Sequence, residues 1–187
     1  INLPREIVFD NKRNCLYFIE FFQNIYFIRK IDIQTNILST IAGNLSLPSI
    51  FTPDENLAKN SSLLKIQFLT IDEKNDFLYF YENDNNIDNS RIRKINLNST
   101  NPILETIAGN NNFGFTNDGN LAKNSSLTFI SSITLDFQGN IYFIEISSFF
   151  TSNSNSYLLR FINNSDGILR TIYFSQNFTD QIFRTSI

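Results

Sequence analysis

Short apolar runs separated by polar punctuation set the pattern of this chain. In its middle third, apolar and β-branched residues cluster over Gln67–Ile71, Phe77–Glu82, Arg91–Asn96 and Ile103–Ala108, with Asn, Asp and Ser between them. Ile, Phe, Tyr, Leu and Thr in runs of this length predict four β-strands. Gly139-Asn140, following Asp136-Phe137-Gln138, reads as a hairpin turn, with glycine supplying a positive φ. No segment carries a helical period, and Leu57–Leu63 has room for a turn or two at most. Leu16-Tyr17-Phe18-Ile19 shows no alternation, as expected of a strand covered on both faces.

The pattern repeats. Asn-Leu-Ala-Lys-Asn-Ser-Ser-Leu occurs at Asn56–Leu63 and again at Asn120–Leu127, 64 residues apart. Ile28-Arg29-Lys30-Ile31 returns as Ile92-Arg93-Lys94-Ile95, and weakly as Leu159-Arg160-Phe161-Ile162. Thr40-Ile41-Ala42-Gly43-Asn44 returns as Thr106-Ile107-Ala108-Gly109-Asn110, with a truncated echo at Ile168–Ile172. Leu16–Glu20, Leu78–Glu82 and Ile141–Glu145 form a third series, each preceded by an aspartate at Asp10, Asp72 or Asp136. Three units follow, about 3–63, 64–127 and 128–187. Four-stranded units with doubly covered strands predict an all-β fold, a β-propeller of antiparallel blades with about three blades present as a partial ring. A β-sandwich is the alternative, although it does not call for so regular a period of four strands. The repeated word is expected to end each inter-blade connection, with Leu57, Ala58 and Leu63 turned inward and Lys59, Asn60 and Ser61 facing water. Leu121, Ala122 and Leu127 are expected to behave as their counterparts do.

These motifs resemble NHL repeats. The resemblance rests on Asp136-x-x-Gly139-Asn140-Ile141-Tyr142-Phe143-Ile144-Glu145, on the Arg-Lys-Ile series and on Thr-Ile-Ala-Gly-Asn. The stretch Gly109–Ala122 is similar to the long inter-blade loop of one NHL subtype, found in large surface proteins and teneurin-like ectodomains. The first such loop departs from it, carrying Pro48 and Pro53 in place of glycines. Such propellers usually have six blades, so the resemblance implies that the remaining blades come from the same longer chain or from a second copy. It also implies a binding scaffold in an extracellular or cell-surface protein, engaging a protein or glycan partner. A structural subunit of a larger assembly is the second reading. A metal-dependent lyase or hydrolase is the third.

Composition narrows the chemistry. The chain has 187 residues, a net charge of −3, 18% charged and 14% aromatic residues. Its basic clusters are the pairs Arg29-Lys30 and Arg93-Lys94, which argues against nucleic acid. It has no His, which excludes Ser-His-Asp triads and imidazole zinc sites, so no catalytic residue, metal or cofactor is assigned. Cys15 is the only cysteine and is expected in the core. No apolar run is long enough to span a bilayer. With Ile1 first and no Met, the chain is expected to be processed or partial.

Glu20, Glu82 and Glu145 close second strands, while Arg29, Arg93 and Arg160 lie in third strands. Antiparallel pairing brings each Glu near an Arg, and a set recurring once per unit reads as structural ion pairs rather than catalysis. Asp84-x-Asn86-x-Asp88 resembles the start of a calcium loop, but Asn89 stands where glycine belongs and Ile95 where the closing Glu belongs. Connections between second and third strands vary most: Phe21–Asn24, Glu82–Ser90 and Ile146–Ser156. Variable loops on a rigid frame make Asp84, Asp88, Phe149 and Phe150 the candidate binding residues. Sequons at Asn44, Asn60, Asn98, Asn124, Asn163 and Asn177 are possible N-glycosylation sites, although a chain this rich in Asn and Ser would carry several by composition alone.

Overall fold

The computed structural model describes residues 2–47, 51–84, 90–147 and 156–176. They form the expected all-β fold, with twelve strands in three four-stranded antiparallel, blade-like sheets. The first sheet holds β1 (Pro4–Asp10), β2 (Cys15–Phe22), β3 (Ile25–Asp32) and β4 (Leu38–Ala42). The second holds β5 (Lys65–Asp72), β6 (Phe77–Asn83), β7 (Arg91–Asn96) and β8 (Leu104–Ala108). The third holds β9 (Phe129–Leu135), β10 (Ile141–Ser147), β11 (Ser156–Ile162) and β12 (Leu169–Gln176). Strands run in sequence order across every sheet, because each pair is joined by a hairpin.

The chain divides into two compact units. One contains the first sheet and most of the second; the other contains the third sheet. In the first unit, Cys15, Tyr17, Ile19 and Ile28 of one sheet share a core with Ile66, Leu78, Phe80 and Leu104 of the other. Both faces of β2 are covered in the middle, since Tyr17 and Phe18 are both buried. In the second unit, burial alternates along β10 even though its sequence does not. Phe143 and Glu145 are buried while Ile144 is 36% exposed. A run apolar on both faces therefore does not guarantee cover on both faces; a neighbouring layer must be there to supply it.

The aspartate before each second strand has a local role. Asp10 accepts the N–H of Arg13 at 2.9 Å, Asp72 that of Asn75 at 3.0 Å, and Asp136 that of Asn140 at 2.9 Å. Each closes the hairpin turn ahead of β2, β6 or β10. The turn after β2 is Gln23-Asn24, with φ of 51° and 64°, the two positive values that a tight primed hairpin requires. The other two connections of this class are longer, leaving residues 84–90 and 148–155 between their strands.

The repeated word includes a short 3₁₀ turn, Ala58–Asn60 or Ala122–Asn124, between the fourth strand of one sheet and the first of the next. Ala58, Leu63, Ala122 and Leu127 are buried as expected. Leu57 and Leu121 are instead 41% and 50% exposed, and Ser61 and Ser125 are fully buried. The 3₁₀ turn rotates the serine inward, where its hydroxyl donates to the carbonyl of Leu57 (2.8 Å) or Leu121 (2.9 Å). The leucines are held by backbone instead, Leu57 bridged to Ile103 and Leu121 to Ile168.

Candidate functional site

The polar interior of each sheet is built on one Glu and one Arg. Register makes them diagonal neighbours: Glu20 lies opposite Phe27 and Arg29 opposite Phe18, with the same offset for Glu145 and Arg160. Arg29 Nε lies 3.0 Å from Glu20, Arg93 Nη1 3.0 Å from Glu82, and Arg160 Nη1 2.8 Å from Glu145. The other carboxylate oxygen accepts a backbone N–H at the start of the first strand. That donor is Asn2 (2.6 Å), Leu64 (2.9 Å) or Thr128 (2.7 Å). The Glu thus holds the first strand to the second while its Arg holds the third.

The fourth strand adds a threonine to the network of each sheet. Arg29 pairs in register with Thr40, and Arg160 with Thr171, beside a one-residue irregularity at Ile41 or Ile172. In the second and third sheets an aspartate from the preceding connector bridges the two. Asp54 accepts from Thr106 Oγ1 (2.7 Å) and Arg93 Nη2 (3.2 Å). Asp118 accepts from Thr171 Oγ1 (2.8 Å) and lies 3.4 Å from Arg160 Nη2. The connector adds a carbonyl, Thr52 or Thr116, each 2.9 Å from the guanidinium. It also adds a ring, Phe51 at 4.7 Å or Phe115 at 4.9 Å from the guanidinium carbon.

Sequence reasoning assigns no role to Phe51, Thr52, Asp54, Phe115 or Thr116 and takes Asp118-Gly119 for a turn rather than a ligand, yet the signal is there. The repeat extends upstream as Phe-Thr-x-Asp-x-Asn-Leu-Ala-Lys-Asn-Ser-Ser-Leu. Residues 51–63 and 115–127 differ only at Pro53/Asn117 and Glu55/Gly119.

Electrostatics mark these networks as structural. Burial pushes the Glu145 carboxyl up, against the pull of Arg160 and the Thr128 hydrogen bonds. Burial likewise lowers Arg160, opposed by Glu145 and Asp118. Arg160 keeps its charge beside Glu145, since a guanidinium holds its proton throughout the accessible range. The second and third sets are closed to a substrate, since Arg93, Arg160 and Glu145 are fully buried and Glu82 is 1% exposed.

Other candidates are less assembled. Asp84 is half-buried just past β6. Asp88, Phe149 and Phe150 lie outside the described residues, so the structure brings no binding group together from these four. Asn60, Asn98 and Asn124 are exposed, whereas Asn44 and Asn163 are half-buried; Asn177 lies outside the described residues. Cys15 is buried, and burial raises its thiol. Among the described residues, no three His, Cys, Asp or Glu side chains gather as a metal site. No helix among them is long and apolar enough to cross a membrane.

Connector and third strand meet at one end of the first and second sheets. A Cβ on Gly43 would lie 2.7 Å from the Tyr26 carbonyl, and one on Gly109 only 2.2 Å from that of Ser90. Glycine at these positions lets the connector leave directly beside the start of the third strand. Compared with protein-family models and with curated proteins, the chain matches none.

Proposed function

We propose that this chain is a segment of an NHL-type β-propeller that serves as a binding scaffold in a larger extracellular or cell-surface protein, with a protein or glycan as its ligand. The observation that carries the reading is the contrast between frame and loops. The Glu–Arg pair recurs in all three sheets, while the second-to-third connection runs from two residues (Gln23-Asn24) to residues 84–90 and 148–155. A buried, repeated frame supports loops that are free to differ, and such loops are where recognition surfaces are built. Asp84, Asp88, Phe149 and Phe150 are the residues proposed to carry that surface.

The test is a glycan array together with a display screen of secreted proteins, run on the chain and on a variant whose residues 84–90 and 148–155 are each replaced by Gln-Asn. Binding that the variant loses, with its far-ultraviolet dichroism unchanged, is the expected result. No ligand from either source, or equal binding by the variant, would overturn the proposal. The second reading, a structural subunit, is favoured by Leu3, Ile7 and Phe9, which are 62%, 64% and 43% exposed on and beside β1. Failure of the ligand screen with retention of a stable multi-protein assembly would select it.

A further inference from the structure

The three sheets offer the same place for a connector, and among the described residues two of them have one seated on it. In the second sheet the backbone of Leu104 is paired on both sides by the connector. Its N–H donates to Asn56 and its C=O accepts from Glu55, each at 3.0 Å. In the third sheet Leu169 is paired in the same way, with Asn120 (2.9 Å) and Gly119 (3.0 Å). Both leucines are fully buried, as are Arg93 and Arg160 behind them.

The corresponding residues of the first sheet are Leu38 and Arg29, placed by the shared Thr-Ile-Ala-Gly-Asn of β4 and β8. Here Leu38 is 38% exposed and the Arg29 side chain 23% exposed. Ile37, the counterpart of the bridged Ile103, is 62% exposed. The carbonyl of Ile37 accepts from Asp32 at 3.1 Å, which turns the Leu38 N–H to the outer edge of the sheet. Arg29 Nη1 donates directly to Thr40 Oγ1, the hydroxyl whose counterpart Thr106 donates to Asp54. The outward Leu38 N–H, the Arg29 cation on β3 and Thr40 on β4 are thus in place at this edge.

We propose that the outer edge of β4 is a receiving site for a connector of the Phe-Thr-x-Asp-x-Asn-Leu-Ala type carried by a further repeat unit. The aspartate seats on Arg29 and Thr40, the aromatic residue three positions before it stacks on the guanidinium, and the two residues after it pair with the Leu38 backbone. The two connectors among the described residues are engaged on their own sheets, so neither of them is the source. The inference stands on repeat geometry and does not depend on the ligand reading above.

The test is a labelled 13-residue peptide with the sequence of residues 115–127, titrated to millimolar concentration against the full chain. Fluorescence anisotropy reads binding, and amide NMR reads its location. The expected result is saturable binding that shifts the Leu38 amide. A peptide with Asn in place of the aspartate should bind at least about tenfold more weakly, the loss of a charge-assisted contact. Leu38→Asp in the protein should weaken binding to a similar extent, and its exposed position keeps the fold intact. No saturable binding, equal binding by the Asn peptide, or shifts confined to Leu104 or Leu169 would overturn the proposal. So would concentration-dependent dimers of the chain alone that protect Leu38.

Discussion

Substituting the same arginine in each sheet isolates what burial adds to an ion pair. Arg93 is fully buried between Glu82 at 3.0 Å and Asp54 at 3.2 Å. At an effective dielectric constant of about 20, each contact is a gross attraction of about 5 kcal/mol, set against the desolvation of all three charges. Arg93→Met leaves the Glu82 carboxylate buried without its cation, and removing one partner of such a pair costs about 3–5 kcal/mol. Arg29 has one carboxylate partner and is 23% exposed, so water compensates part of the loss. Arg29→Met should cost about 1–2 kcal/mol, between the exposed and buried cases. Urea unfolding followed by far-ultraviolet dichroism measures both. With a slope of about 2 kcal/mol/M, the midpoint should fall by about 2 M for Arg93→Met and by about 0.5–1 M for Arg29→Met. The double variant Glu82→Gln/Arg93→Met should be less damaged than the sum of its singles, because no unpaired charge stays inside. Equal shifts for Arg29→Met and Arg93→Met would refute the reasoning, since both side chains would then be equally dependent on their partners.

Gly109→Ala should lower the unfolding midpoint sharply, because its Cβ would meet the Ser90 carbonyl at 2.2 Å and its φ is +100°. Gly119→Ala, with open space and a φ of +88°, should cost only about 1 kcal/mol; the first connector already holds Glu55 there at φ 69°. Ser125→Ala should cost about 1 kcal/mol by thermal unfolding, through loss of the 2.9 Å bond to Leu121. Hydrogen bonds from Lys12 and then Arg13 lower the Asp76 carboxyl, so its stabilisation is present above the ordinary carboxylate range and lost as pH falls through it. Thermal scans from pH 7 to pH 3 should therefore show an acid-side loss that is smaller in Asp76→Asn. Glu145 has the opposite sign: raised by burial, it stabilises most when protonated, so Glu145→Gln should steepen the acid-side loss.

Much of this molecule is legible in its residues taken locally. Strands expected at Phe77–Glu82 and Arg91–Asn96 are found at Phe77–Asn83 and Arg91–Asn96. Side-chain type and turn residues decide those bounds within a few neighbours along the chain. The Glu–Arg pairs are equally accessible, because antiparallel pairing of the second and third strands brings together a Glu and an Arg that recur once per unit. Asp54 and Asp118 escaped because their partners are about 40 to 50 residues away, at |i−j| of 39 and 53. No local period announces such a contact, although the extended repeat does. Ser61 was assigned to water on its polarity, and the 3₁₀ turn buried it with an internal acceptor.

The strand pattern, the hairpin turns, the four-strand period and the pairing of Glu with Arg are all readable along the chain. These depend on residue type and on spacing along a short stretch of backbone. Long-range packing sets which faces are covered, where each connector is seated, and why Leu38 on β4 is exposed where Leu104 and Leu169 are not. Those outcomes depend on which segment, distant in sequence, comes to lie alongside, and a side chain's polarity does not specify its neighbour.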